Sequence, residues 1–221
     1  MKNKTILLGL NELNFSYINF YINLGLLPNF KKLFVIQPPI ETVSENEYKL
    51  LEPWVQWVTI HTGKTFDEHK VFRLGDIVNF PKLSQLFEEL EAEGLSVGAV
   101  SPFNSENRLN NSAFFVPDPW TKTKVSGNWI VKALYQAVHQ SVNDNAKAKF
   151  TFKSLISLGL GFLLYVPVLR WVHYLKTILK LNKPGARAII LDSLLADFHL
   201  ALWKTNKPDF SNLFLNSGAH I

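Results

Sequence analysis

Glu52 stands directly before Pro53 in the run Leu51-Glu52-Pro53-Trp54-Val55-Gln56-Trp57-Val58-Thr59-Ile60-His61-Thr62-Gly63. Proline suits the first position of a helix, where its missing N–H is not needed, and glycine suits the residue just past a helix end. The spacing predicts a helix over 53–62 with a carboxylate at its N-terminus. Free N–H groups and the helix dipole make that end an anion site. The chemistry such a place serves is binding of, or attack on, a phosphate or sulfate ester. Two more polar clusters follow apolar runs: Asn11-Glu12 after Thr5 to Leu10, and Asn216-Ser217-Gly218-Ala219-His220 after Ser211 to Leu215. Amide oxygens suit calcium or magnesium, whereas His and carboxylates suit zinc.

The elements that must hold these residues alternate in type. Lys4 to Leu10 reads as a buried central strand, and Leu13, Tyr17, Phe20, Tyr21 and Leu24 fall near helical spacing up to Gly25. A short helix starts at Leu26-Leu27-Pro28-Asn29-Phe30. Strand pieces are predicted at 34–37 and 40–43, around Pro38-Pro39. Leu83, Leu86, Phe87 and Leu90, between Pro81 and Gly94, predict a helix over 81–93. Strands follow at 95–100 and 113–116, the second entering the rigid turn Pro117-Asp118-Pro119-Trp120. Helical patterns fill 128–147, 152–181 and 188–203, and 211–215 is the last strand.

Alternation of this kind implies an α/β fold, a mainly parallel sheet sandwiched between helices in three layers. The predicted organisation is an N-terminal α/β core over 1–126, a helical insertion over 127–205, and the last core strand with the polar cluster over 206–221. In such sheets ligands bind beyond the carboxyl ends of the strands. That is where Asn11-Glu12 and Asn216 to His220 fall. The last strand has no closing helix after it, so the expectation is a fragment of a longer domain.

Composition narrows the classes. Apolar content of 47% and charged content of 19% argue for a folded protein. With no cysteine, disulfide and thiol chemistry are excluded. A charge of +5 carried by scattered lysines argues against nucleic acid as a partner. The N-terminal apolar run is too short for a secretory leader, so the expected location is cytoplasmic. Ser154 to Leu169 is apolar for 16 residues, just under the roughly 17–25 needed to cross a bilayer. With Trp171, Tyr174, Arg170, Lys176 and Lys180 it has two readings: a buried helical insertion, or membrane-surface contact through 154–181.

Three of these pieces, in order, resemble the alkaline phosphatase superfamily, and within it the type I phosphodiesterase and nucleotide pyrophosphatase branch. Those proteins have a first strand ending in a metal-binding Asp, matched here by Ile6 to Leu10 and Asn11. They carry a nucleophile at the start of a helix ending in Thr-Gly, matched by Thr62-Gly63, with Glu68-His69 following. They also carry a strand followed by Asp-x-x-x-His, matched by Asn216-x-x-x-His220. The nucleophile position falls on Pro53, which has no reactive group, and Glu52 is the nearest candidate for catalysis. The resemblance implies substrate contact by Thr62 and His69, and metal ligation by Asn11, Glu12, Asn216 and His220. The implied cofactor is a divalent metal: zinc above all, with magnesium, manganese or calcium as alternatives. The implied partner is a small-molecule, glycan-linked or lipid-linked phosphate or sulfate ester.

Each residue also has a plainer reading. Asn11 serves equally as a helix cap, Glu12 and Glu52 as acids compensating a helix dipole, and His69 as a turn brace. His61, His139, His173 and His199 read as structural. Two functions therefore compete. One is a metal-dependent hydrolase with altered nucleophile and ligands; the other is an inactive relative kept as a binding or assembly module.

Overall fold

The protein is described from a computed structural model covering residues 4–143 and 152–220. Four strands, β1 (Thr5–Leu10), β2 (Val97–Val100), β3 (Phe114–Val116) and β4 (Phe210–Leu215), form an all-parallel sheet in the order β1-β4-β2-β3. The helices are α1 (Phe15–Asn23), α2 (Pro28–Ile36), α3 (Pro53–Thr62), α4 (Phe66–His69), α5 (Leu86–Ala92), α6 (Trp129–Asn143), α7 (Phe152–Tyr165), α8 (Trp171–Ile178) and α9 (Ala186–Asn206). The α/β class and the parallel sheet expected from the sequence are thus observed.

Side chains alternate across the sheet, as a strand's period of two requires. Val100, Phe114, Val116 and Leu213 face α6 and α9, where they meet Val131, Leu134, Phe198 and Leu202. Val97, Ala99, Phe115 and Phe210 face α5 and meet Phe87 and Leu109. The helices after β3 are therefore tied into the core, because α6 and α9 form the layer over one face of the sheet. The helical stretch expected over 128–147 is observed as α6 from Trp129 to Asn143, and 144–147 lie outside the described residues.

Several predicted elements differ. The strand pieces at 34–37 and 40–43 are absent; α2 runs to Ile36 and residues 38–45 form no regular element. Pro28 starts that helix, and Phe30 and Phe34, one turn apart, stack edge-on while Phe34 also stacks on Phe15. The helix predicted over 81–93 begins only at Leu86, because Gln85 caps it by donating its N–H to Glu88. The run predicted as one helical pattern over 152–181 breaks after Tyr165 at Pro167 and turns through Val168–Arg170 into α8. Finally, β1 is no central strand: among the described residues it pairs with β4 alone, and Ile6 and Leu8 are half exposed.

Candidate functional site

The register of β1 against β4 ends with Leu10 opposite Leu215, so the next residues, Asn11 and Asn216, leave the sheet side by side. Asn11 N–H extends the ladder to Leu215 O at 3.0 Å. Its side-chain Nδ2 donates to Asn216 Oδ1 at 2.9 Å, and its Oδ1 accepts from Trp57 Nε1 at 3.0 Å. Trp57 reaches this position because Gly9 has no side chain: a Cβ there would lie 2.6 Å from the indole Cη2. The indole also packs edge-on against Phe214. On the other side, the buried Asp192 of α9 accepts the N–H groups of Asn216 at 3.1 Å and Ser217 at 2.6 Å. Gly218 closes the loop over Asn11, where a Cβ would lie 2.2 Å from the Asn11 carbonyl oxygen. Asn11 therefore caps no helix; Asn14 does that, accepting from Ser16 and Tyr17 N–H.

Helix α3 is the segment predicted over 53–62, with Pro53 in its first turn and Gly63 in the left-handed conformation (φ 65°) that ends it. Contacts along its length fix its direction. Its first turn lies at the strand ends, where Trp54 O accepts from Asn104 Nδ2 at 2.8 Å. Asn104 N–H in turn donates to Asp118 at the end of β3, at 2.9 Å. Its last turn lies deeper, where His61 packs on Phe87 and its Nδ1 is 2.7 Å from Ser105 Oγ. Glu52, the residue flanking that first turn, is half-buried and makes no capping bond through its side chain. It precedes the turn in which Trp54 O accepts from Asn104.

The other predicted residues divide. Asn216 and His220 both line the cleft described below, His220 being exposed on the turn Ser217–His220. Glu12 is exposed, with a left-handed backbone (φ 52°). Thr62 is at the far end of α3 from Glu52, about 15 Å away at 1.5 Å per residue. Its Oγ1 donates to Val58 O at 2.7 Å and accepts from Lys64 N at 3.3 Å. His69 is buried with both ring nitrogens used. Val71 N–H donates to its Nδ1 at 3.0 Å, so its Nε2 carries the proton that faces Thr59 Oγ1 at 3.2 Å. Burial lowers its pKa and favours that neutral form. His69 thus joins α3 to α4, away from the amide pair.

Beyond the strand ends lies a cleft of about 910 Å³ between the sheet rim and helices α6, α7 and α9. Ser101, Pro117 and Phe214 border it at the ends of β2, β3 and β4, while Tyr135, Leu191 and Phe198 supply much of its apolar wall. Burial, then the nearby Asp118, pushes the Tyr135 phenol up to about 12. Lys183 and Arg187 stand at one side, flanking the start of α9, whose cap residue Gly185 offers no side chain to the free N–H groups. Asp118 is a brace. Its carboxylate accepts from Asn104 N, Trp120 N, Thr121 N and Thr121 Oγ1, all within 2.9 Å. Burial raises its pKa, and those donors oppose the rise.

Asn104 and Asp192 are site residues that no motif in the chain singles out, and Trp57, whose place on α3 reads as core, completes the site through its indole N–H. Asn104 follows β2 in the polar run Asn104-Ser105-Glu106-Asn107, and Asp192 is the first acid after Asp144. Both signals are visible in the chain once the strands are known.

The donor set does not fit a zinc pair. The two amides are bonded to each other, with Asn11 Nδ2 aimed at the oxygen that would have to ligate. Asn11 Oδ1 already accepts the indole N–H, and Asp192 is engaged by two backbone N–H groups. Among the described residues no three His, Cys, Asp or Glu side chains converge. What the arrangement offers is a polar, partly cationic rim on an apolar cleft. No protein-family model matches the chain, and neither does any curated protein or solved structure.

Proposed function

We propose that the protein is a binding module: an inactive relative of the ester hydrolases it resembles, with an alkaline phosphatase-like three-layer sandwich. It takes an anionic ester, phosphate or sulfate, with an apolar body. The observation that carries this reading is the bond from Asn11 Nδ2 to Asn216 Oδ1, closed by Trp57. In the family pattern those two positions are carboxylates holding metal; here they are neutral and satisfy each other. An unpaired buried amide would cost roughly 1–3 kcal/mol, so the pair resists being opened for a cation. The apolar wall supports a hydrophobic ligand body, and Lys183, Arg187 and the N-terminus of α9 support an anionic head.

A second reading, hydrolysis with Glu52 as general base, is favoured by one observation: the Glu52 side chain makes no capping bond at the start of α3. Calorimetric titration with decyl phosphate, beside a turnover assay with bis(4-nitrophenyl) phosphate in millimolar zinc or manganese, separates the two. The binding reading expects saturable decyl phosphate binding, weakened about tenfold by Arg187→Glu, and no turnover above buffer. Turnover that needs metal and is lost in Glu52→Gln would establish the hydrolase instead.

A further inference from the structure

The α7–α8 region turns apolar side chains outward. On α7, Ile156, Leu160, Leu163 and Leu164 are exposed at i, i+4, i+7 and i+8, one helical stripe. On the following turn and α8, Leu169, Val172, Leu175 and Leu179 are exposed, Leu169 at 94% and Leu179 at 84%. The inner faces of the same segments are well packed. Gly161 abuts Leu134 of α6, and Tyr165 stacks edge-on against Phe198. Tyr174 is buried with its hydroxyl donating to Asp197 at 2.7 Å, while Arg170 Nε lies 2.8 Å from the same carboxylate. The outward residues are therefore held out by a fixed inner face.

Charge indicates what covers them. Residues 156–191 contain five Lys or Arg and no acid. Arg170, Lys176, Lys180, Lys183 and Arg187 are all exposed. A second copy of this chain meeting the surface face to face would set these cations against one another. An anionic bilayer would not. The two arms, Ile156–Tyr165 and Val168–Ile178, together have the length and composition of a span, but the chain bends by 111° between them, and each arm alone is about 15 Å long against a hydrocarbon core of about 30 Å. No single helix among the described residues is long and apolar enough to span.

We propose that α7 and α8 form a bent, monotopic docking element that lies in the interface of an anionic lipid bilayer, with the leucines in the acyl boundary and the lysines at the headgroups. The inference goes beyond the cleft reading: it rests on the outward leucines of α7 and α8 with Lys176 and Lys180, while Lys183 and Arg187 also border the cleft.

Sedimentation of the whole protein with vesicles tests it. With phosphatidylcholine containing 30% phosphatidylglycerol, binding is expected, and it falls at least tenfold on pure phosphatidylcholine. Leu169→Glu lowers partitioning at least tenfold. Lys176→Glu with Lys180→Glu lowers it by about fivefold per cation in low salt. Val43→Glu, at a fully exposed apolar residue elsewhere, leaves it unchanged, and unaltered circular dichroism and thermal midpoints certify folding of each variant. Vesicle binding that is absent, or equal in Leu169→Glu and the parent, overturns the proposal. So does a parent that forms dimers which Leu169→Glu dissociates without any vesicle binding. Failure here leaves decyl phosphate binding in solution untouched, so the two readings fall separately.

Discussion

Strands β1 and β2 are similarly apolar in sequence, yet they occupy opposite situations. Every residue of β2 is buried, and so is every residue of β3. In β1 Leu7, on the side of α3, is half-buried, while Ile6 and Leu8, on the other face, are half exposed. The difference lies in the partners. α9 and α6 cover β2, β3 and β4 on that face, whereas at Ile6 and Leu8 the cover is only partial. An apolar run reports that a strand is suitable for burial; what packs on it decides whether burial occurs.

The largest expected effect of a single substitution breaks the comparison directly. Phe115→Ala, at a fully buried residue of β3, should cost about 3–5 kcal/mol, whereas Leu8→Ala should cost less than about 1 kcal/mol. Urea denaturation measures both, and an equal loss would mean that the open face of β1 is covered in solution.

Acid tests the two faces together, since each carries a buried histidine. His61 projects from α3 onto Phe87 of α5, and His199 projects from α9 to Ser211 on β4. Burial pushes both pKa values down from 6.5 to about 4. The unfolded chain binds these protons below pH 6.5 and the folded chain does not until about pH 4. Stability is therefore full above pH 6.5 and falls as pH drops from 6.5 toward 4, by about 3 kcal/mol for each histidine. Urea midpoints at pH 7 and pH 4.5 read this loss. His199→Gln should flatten part of it, and a pH-independent midpoint would mean that neither ring is buried neutral.

The smallest effect sharpens the site, which joins the open strand β1 to its covered neighbour β4. Asn11→Leu leaves the Trp57 N–H and Asn216 oxygen without their partner, a loss of roughly 1–3 kcal/mol in thermal or urea denaturation. Asn11→Asp combined with Asn216→Asp places two carboxylates about a hydrogen bond apart, where they repel. The double variant should be less stable than the parent and should regain stability with millimolar manganese, by about 2.7 kcal/mol at a hundredfold excess over the dissociation constant. The parent should show no such shift; an equal gain in the parent would put a cation site back at the amide pair.

How much was legible depended on how local the cause was. α3 was read closely because Pro53 and Gly63 fix its ends within the segment itself. The pattern over 81–93 places the start of α5 five residues early, because the cap that begins it is the Gln85–Glu88 contact. Phe34 and Val35 suit strand and helix alike, so the sequence of 34–37 does not choose between them; in the fold they end α2, with Phe34 stacked on Phe15. At the site, Asn11 and Asn216 were chosen from their places after two strands. Nothing in the chain announced that they would meet, since 205 residues separate them. Thr62 and His69 were grouped with them by motif order, and the direction of α3 separates them.

By itself the sequence determined the α/β class, the parallel sheet, the ends of α3 and the placing of amides beyond the first and last strands. Those follow from hydrophobic period, proline and glycine, which act within a few residues. Only the tertiary structure decided that Asn11 and Asn216 would bond to each other, that Asp192 would hold the loop beside them, and that β1 and the outer faces of α7 and α8 would remain open. The reason is physical. Hydrogen-bond partners and burial are properties of pairs distant in the chain, fixed only when strand register and helix direction bring them together.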